Sequence, residues 1–140
     1  MTWTRRAGVL PANVRPEGDL APARELRDAI YRVFKAVAAG GKPPRPALKT
    51  MLRVHADAVA EGKIEDGAWV WSGRHPDRPL WPIAVAAVDL LRSDKLGRLK
   101  RCANCNWLFL DRSRNGSRRW CSMDECGAHT KMRRYRARRG

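Results

Sequence analysis

Four cysteines, Cys102, Cys105, Cys121 and Cys126, fall within one 25-residue stretch as Cys-x2-Cys, fifteen intervening residues, then Cys-x4-Cys. Thiolates are soft ligands, and two close pairs divided by a short insert supply the tetrahedral donor set that zinc takes. A lone Cys-x2-Cys would leave free buried thiols or a redox pair in contention, but the second pair weighs against both. Four thiolates fill the coordination sphere and leave no position for water or substrate, so one structural zinc is expected. The segment is too poor in apolar residues to fold alone, and bound zinc contributes about 10–16 kcal/mol of apparent stabilisation in small fingers. His129 also stands at a ligand spacing from Cys126, but with four cysteines present it is expected at the surface, as are His55 and His75.

Several elements must bring these thiols together. The run from Arg101 to Asn106 can curl into a knuckle that aims two sulfurs at one point. Trp107 to Asp111 and Arg118 to Cys121 read as two strands joined through Arg112 to Ser117, where Asn115-Gly116 favours a hairpin turn. Cys126 then falls near the start of a final helix, where the dipole favours a thiolate. Knuckle, hairpin and C-terminal helix describe a small treble-clef-like α+β zinc finger.

The helix is strongly basic. Ala128, Met132 and Tyr135 share one side and are expected to pack on Trp107, Phe109 or Trp120, leaving Lys131, Arg133, Arg134, Arg136, Arg138 and Arg139 to solvent. Arg112, Arg114, Arg118 and Arg119 add to the same surface. Residues 98–140 hold 13 Lys and Arg against 3 Asp and Glu, which is +10 of the whole chain's +15. Such one-signed charge is an electrostatic footprint for a polyanion. The longest apolar run, Ile83 to Val88, is too short to span a bilayer, and Met1 to Leu10 lacks an apolar stretch of signal-peptide length. A reducing cytoplasm is therefore expected, where clustered cysteines bind metal before they form disulfides.

Ahead of the finger, residues 1–97 read as a mainly α domain. Leu26, Ala29, Ile30, Val33, Phe34, Val37 and Ala38 recur at spacings of three and four, predicting a helix over 21–39. Asp19 is its candidate N-cap, Pro22 suits its first turn, and Gly40 and Gly41 stop it. A second helix is predicted over 47–60, with Leu48, Met51, Leu52 and Val59 buried. Ile64 to Trp71 suits a strand with Trp69 and Trp71 on one face, Ser72 to Pro79 a loop, and Pro82 to Leu91 a third helix closed by Ser93 to Gly97.

Arg101 to Asn115, Arg119 to Gly127 and Lys131 to Arg138 together resemble the CGNR-type zinc finger. In that bacterial family the finger follows a helical ABATE domain of stress-induced transcription regulators, which Ala23 to Ile30 and Ala86 to Leu91 resemble less distinctively. The resemblance implies a DNA-binding regulator with the finger at 98–140 and an ABATE-like domain at 1–97. The segment Trp3 to Pro11 aligns inside that domain, which implies a shortened N-terminus. Where the family name reads Cys-Gly-Asn-Arg, this chain has Cys126-Gly127-Ala128-His129, so an arginine for phosphate and an asparagine for capping are replaced.

The resulting expectation is a zinc-dependent, cytoplasmic, nucleoid-associated bacterial transcription regulator that docks its basic helix on duplex DNA. Its N-terminal domain is the expected place for sensing or homodimerisation. Two other readings stand beside it: an RNA- or ribosome-associated zinc protein, served by the same phosphate attraction, and a protein-interaction adaptor stapled by zinc. No enzyme is expected, since no segment supplies a nucleophile elbow, a phosphate loop or an open metal site.

Overall fold

The structure, a computed structural model, describes residues 19–139. The Trp3 to Pro11 segment and the sequence start lie outside the described residues.

Helix α1 spans Ala21–Ala38, with Pro22 in its first turn. Leu20 occupies the N-cap position, and the Asp19 carboxylate one residue earlier accepts the Ala21 N–H at 2.8 Å. At the other end Gly40 adopts φ 74°, and the N–H groups of Gly40 and Gly41 donate to the Val37 and Ala36 carbonyls. This is a Schellman stop, which requires a left-handed residue at the position Gly40 fills. Leu26, Ala29, Val33 and Phe34 are buried along the predicted stripe.

Helix α2, Arg45–Glu61, begins earlier than predicted because Pro46 fits its first turn. It packs on α1 and on α3, Trp81–Arg92. Its buried face is Ala47, Met51, Val54 and Ala58. Leu48 is partly buried as expected, but Leu52 and Val59 face solvent at 42% and 41% exposure, correcting the predicted face. The helix meets both neighbours along the Ala47, Met51, Val54 and Ala58 line, and Leu52 and Val59 lie off that line.

The predicted strand at 64–71 is instead a hairpin, β1 (Lys63–Glu65) and β2 (Ala68–Val70), with Asp66 and Gly67 both at positive φ. An Asp-Gly pair with positive φ at both central positions is the type I′ turn that matches strand twist. Trp69 and Trp71 share a face and stack with centroids 5.9 Å apart. The Trp71 indole donates to the Ala58 carbonyl at 2.7 Å and lies beside buried Trp81, tying the hairpin to α2 and α3. His75 also leans on Trp81, with ring centroids 4.9 Å apart, so it braces the core edge from its exposed position.

A 3-10 turn, Asp94–Arg98, leads into β3 (Leu99–Arg101), which pairs antiparallel with β4 (Leu108–Leu110). Leu99 and Leu108 pack against the helical core, and the Tyr31 hydroxyl donates to the Asn106 carbonyl at 3.3 Å. The finger hairpin therefore shares apolar packing with α1.

Candidate metal centre and nucleic-acid interface

The strands β3 and β4 hold the knuckle at their tip. The register pairs Leu99 with Leu110, Lys100 with Phe109 and Arg101 with Leu108. At the tip the Cys102 N–H donates to the Trp107 carbonyl at 2.7 Å, and Asn106 turns the chain with φ 61°. The predicted hairpin between Trp107–Asp111 and Arg118–Cys121 does not form; the second of these segments is irregular. Its one backbone–backbone bond to the knuckle is Ala103 N–H to the Arg119 carbonyl at 3.1 Å, and the Cys121 N–H reaches the Cys102 sulfur.

The physical reason is Asp111. Its side chain is fully buried and accepts the Ser113 N–H at 2.9 Å, the Ser113 hydroxyl at 2.6 Å, the Arg118 N–H at 2.9 Å and the Lys100 ammonium at 2.9 Å. Lys100 also donates to the carbonyls of Gly116 and Arg118. The loop after β4 is wound around one carboxylate, so its backbone groups bond to that hub instead of to a strand. The Ser113 hydroxyl and the Lys100 ammonium hold the Asp111 carboxyl well below the usual carboxylate range, against the opposing effect of burial. An aspartate two residues before a serine is an Asx-turn signal, and it was legible in the sequence.

The loop and knuckle deliver all four thiols to one place. The Sγ atoms lie within 4.8 Å of one another, with Cys105 to Cys121 at 3.5 Å and Cys121 to Cys126 at 3.6 Å. Zinc–sulfur bonds of about 2.3 Å at tetrahedral angles place sulfurs about 3.8 Å apart, so the donor set fits a single zinc ion. All four cysteines are free of disulfides. Cys126 sits in a π turn, Met123–Gly127, whose first residues are capped by the Ser122 hydroxyl accepting the Glu125 N–H at 3.2 Å. The Gly127 N–H reaches back to the Ser122 carbonyl at 3.0 Å.

Crowding and backbone donors set the acidity of the thiols in opposite directions. Burial pushes the Cys102 thiol up, but N–H donors from Cys121, Asn104 and Cys105 outweigh it and bring it to about 6. Cys121 is pushed up to about 12 by burial and by the neighbouring sulfurs. At Cys126 the Asn104 side chain pulls down, while Cys105 and burial prevail and raise it. A divalent ion supplies the positive charge that lets crowded thiols ionise together.

Helix α4 follows as Ala128–Ala137. None of its residues is buried; Met132 and Tyr135 are 53% and 51% exposed, so the expected inward stripe of Ala128, Met132 and Tyr135 is corrected. Trp107, its expected partner, is 69% exposed. Arginines have taken the other aromatic faces: Arg118 lies 5.3 Å from the Phe109 ring centroid and Arg119 5.7 Å from that of Trp120. The helix is held at its base, where the Thr130 hydroxyl donates to the Cys126 carbonyl at 2.9 Å, and by Arg133, which donates to the Asn104 side chain. Asn104 thus joins knuckle, sulfur cluster and helix, a role that spacing did not reveal.

Arg112, Arg114, Arg119, Lys131, Arg133, Arg134, Arg136, Arg138 and Arg139 are exposed. Arg118 differs: its guanidinium donates to the Trp120 carbonyl at 2.9 Å and to the Cys121 carbonyl, so it braces the metal loop. His129 is exposed and outside the sulfur cluster.

A helical domain packed against a four-cysteine structural zinc finger is the class these features define. The family model described as "Putative stress-induced transcription regulator" (ABATE) matches residues 1–94, and the CGNR zinc finger model matches residues 98–139. The chain belongs to the ABATE family and carries a CGNR zinc finger that binds one structural zinc ion. No curated protein matches it. Among the described residues no helix is long and apolar enough to cross a membrane.

Proposed function

We propose that this protein is a non-enzymatic bacterial transcription regulator of the cytoplasm that docks α4 on duplex DNA. One observation carries the reading. Among the described residues the ion pairs are Arg27–Asp28, Arg53–Glu25 and Lys100–Asp111, so none neutralises α4 or the arginines of the metal loop. Of the acidic groups of the finger, Asp111 is buried on Lys100, and the exposed Asp124 and Glu125 lie in the turn before α4, outside the helix itself. What remains facing solvent is a rod of one sign.

Ten residues make a helix about 15 Å long, and the B-DNA major groove, about 12 Å wide, admits an α-helix. The narrow major groove of A-form RNA does not, which favours duplex DNA over structured RNA. With Ala128 and His129 in place of an asparagine and an arginine, most of the helix's interactions position it on phosphates and few read bases. A zinc ion held by four thiolates has no open position, which supports a structural and not a catalytic metal. Pairing of two copies through the helical domain belongs to the same proposal.

The test replaces Arg133, Arg134, Arg136 and Arg138 by alanine and measures duplex affinity across a salt series. Each arginine–phosphate pair removed flattens the slope of log affinity against log salt by about 0.9, so removing all four flattens it by up to about 3.6. Unchanged affinity and slope would place the nucleic-acid surface elsewhere or point to a protein partner. Competition by structured RNA at equal affinity would favour the RNA reading.

A further inference from the structure

A second cationic feature lies away from α4, on the seam between the helical domain and the finger. A cleft of about 380 Å³ is lined by Lys35, Ala38 and Ala39 at the end of α1, by Lys100, Arg101 and Ala103 of the β3 strand and knuckle, and by Arg118 and Arg119 of the metal loop. Five of these eight residues are cationic and none is acidic. The volume corresponds to roughly a dozen water molecules, room for one or two phosphate groups.

The cations divide into two kinds. Lys100 and Arg118 are anchored, the first on Asp111 and two loop carbonyls, the second on the Trp120 and Cys121 carbonyls. The Lys100 ammonium is neutralised by Asp111, so the fixed positive charge on the cleft wall is that of Arg118. Lys35, Arg101 and Arg119 are exposed and without a carboxylate partner among the described residues, so their donors are free for a ligand. The guanidinium fork suits phosphate oxygens, and prepositioned charge at the back lowers the ordering cost of binding.

We propose that this cleft is a phosphate-binding site in which Lys35 of the helical domain and Arg101 and Arg119 of the finger close on one phosphate or diphosphate group. The site is separate from α4 and does not depend on its docking. The ligand chemistry is a phosphate anion, carried either by a polynucleotide backbone or by a small phosphorylated molecule. Because the groups come from both sides of the seam, an occupied cleft ties the regulator domain to the finger.

The test uses the zinc-loaded full chain, labelled with ¹⁵N, titrated with inorganic phosphate at constant ionic strength. Saturable amide shifts centred on Ala38, Ala39 and Ala103 are expected. The variant Lys35→Ala/Arg101→Ala, both at exposed positions, should weaken phosphate binding by at least about tenfold, the loss of one charge-assisted hydrogen bond. An α4 variant that keeps the Arg133–Asn104 bond, Arg134→Ala/Arg136→Ala/Arg138→Ala, should leave it within about twofold, since none of these three arginines lines the cleft or bonds to the knuckle. Duplex DNA titrated across salt then separates the sources. A slope flattened by up to about 1.8 in the double variant assigns the cleft to backbone phosphate. An unchanged slope, with phosphate binding abolished, assigns it to a free phosphorylated molecule. If inorganic phosphate does not saturate but the DNA slope flattens, the polynucleotide assignment also stands. The proposal fails if phosphate binds the double variant as well as the parent, if the α4 variant abolishes it too, or if neither phosphate nor DNA senses the double substitution.

Discussion

Replacing Lys100 by methionine separates the metal loop's electrostatic hub from its packing, because the stem volume is kept and only the ammonium is removed. The ammonium donates to the Asp111 carboxylate at 2.9 Å and to two loop carbonyls, and the carboxylate partner is wholly buried. Breaking a buried pair by removing one partner costs about 3–5 kcal/mol, since the other charge stays buried. Lys100 is one-third exposed, which places the expected loss at the low end, about 3 kcal/mol. Asp111 keeps its three remaining donors, Ser113 N–H, Ser113 hydroxyl and Arg118 N–H, so the loop loosens without losing every tie. The loop carries Cys121 to the sulfur cluster, so the loss reaches the metal: about 3 kcal/mol of coupled folding is roughly a hundredfold in zinc affinity. Competition with a chromophoric chelator at pH 7 measures it, with tryptophan fluorescence following the fold. The double variant Lys100→Met/Asp111→Asn should lose less than the two single losses added, because it removes the stranded charge. Zinc affinity of Lys100→Met within about threefold of the parent would refute the hub, since even a charged-group hydrogen bond exceeds that.

Zinc affinity should rise with pH through neutrality: the raised Cys121 and Cys126 thiols carry protons before binding and lose them on ligation, so buffer-varied calorimetry at pH 7 should count at least two protons released per zinc. The Asp111 carboxyl, held below its unfolded value of about 3.9, stabilises the finger fully above that pH and loses its contribution as pH falls towards the folded value. Acid titration of the Lys100→Met variant should therefore begin to unfold the finger at higher pH than the parent. Gly62→Ala would place a Cβ 2.7 Å from the Trp69 ring and 2.8 Å from the Ala58 carbonyl, so a destabilisation of about 1–3 kcal/mol from overpacking is expected in denaturant unfolding. A midpoint equal to the parent's would show that the hairpin moves off α2 freely.

What the sequence determined by itself was local or chemical. Ligand spacing at Cys102, Cys105, Cys121 and Cys126 named the metal, because tetrahedral zinc constrains which residue types can meet. Apolar periodicity placed α1, Ala and Leu content placed α3, and Gly40 marked the α1 stop, because all three depend on neighbours within a turn. Charge asymmetry marked the basic end, because charge adds along the chain whatever its fold. Tertiary structure alone decided the rest. Three-residue strands carry too little pattern to choose a partner, so β4 pairing with β3 was settled by the buried Asp111 and by Leu99 and Leu108 against the helical core. The outward turn of Leu52 and Val59 followed from which face of α2 meets its two neighbours, a choice that an apolar pattern on more than one face leaves open. Met132 and Tyr135 stay in solvent, while Arg118 and Arg119 lie over the Phe109 and Trp120 rings and Arg139 over that of Tyr135. The cleft that joins Lys35 to Arg101 and Arg119 is assembled from residues far apart in sequence, and packing of the finger on α1 alone makes them neighbours.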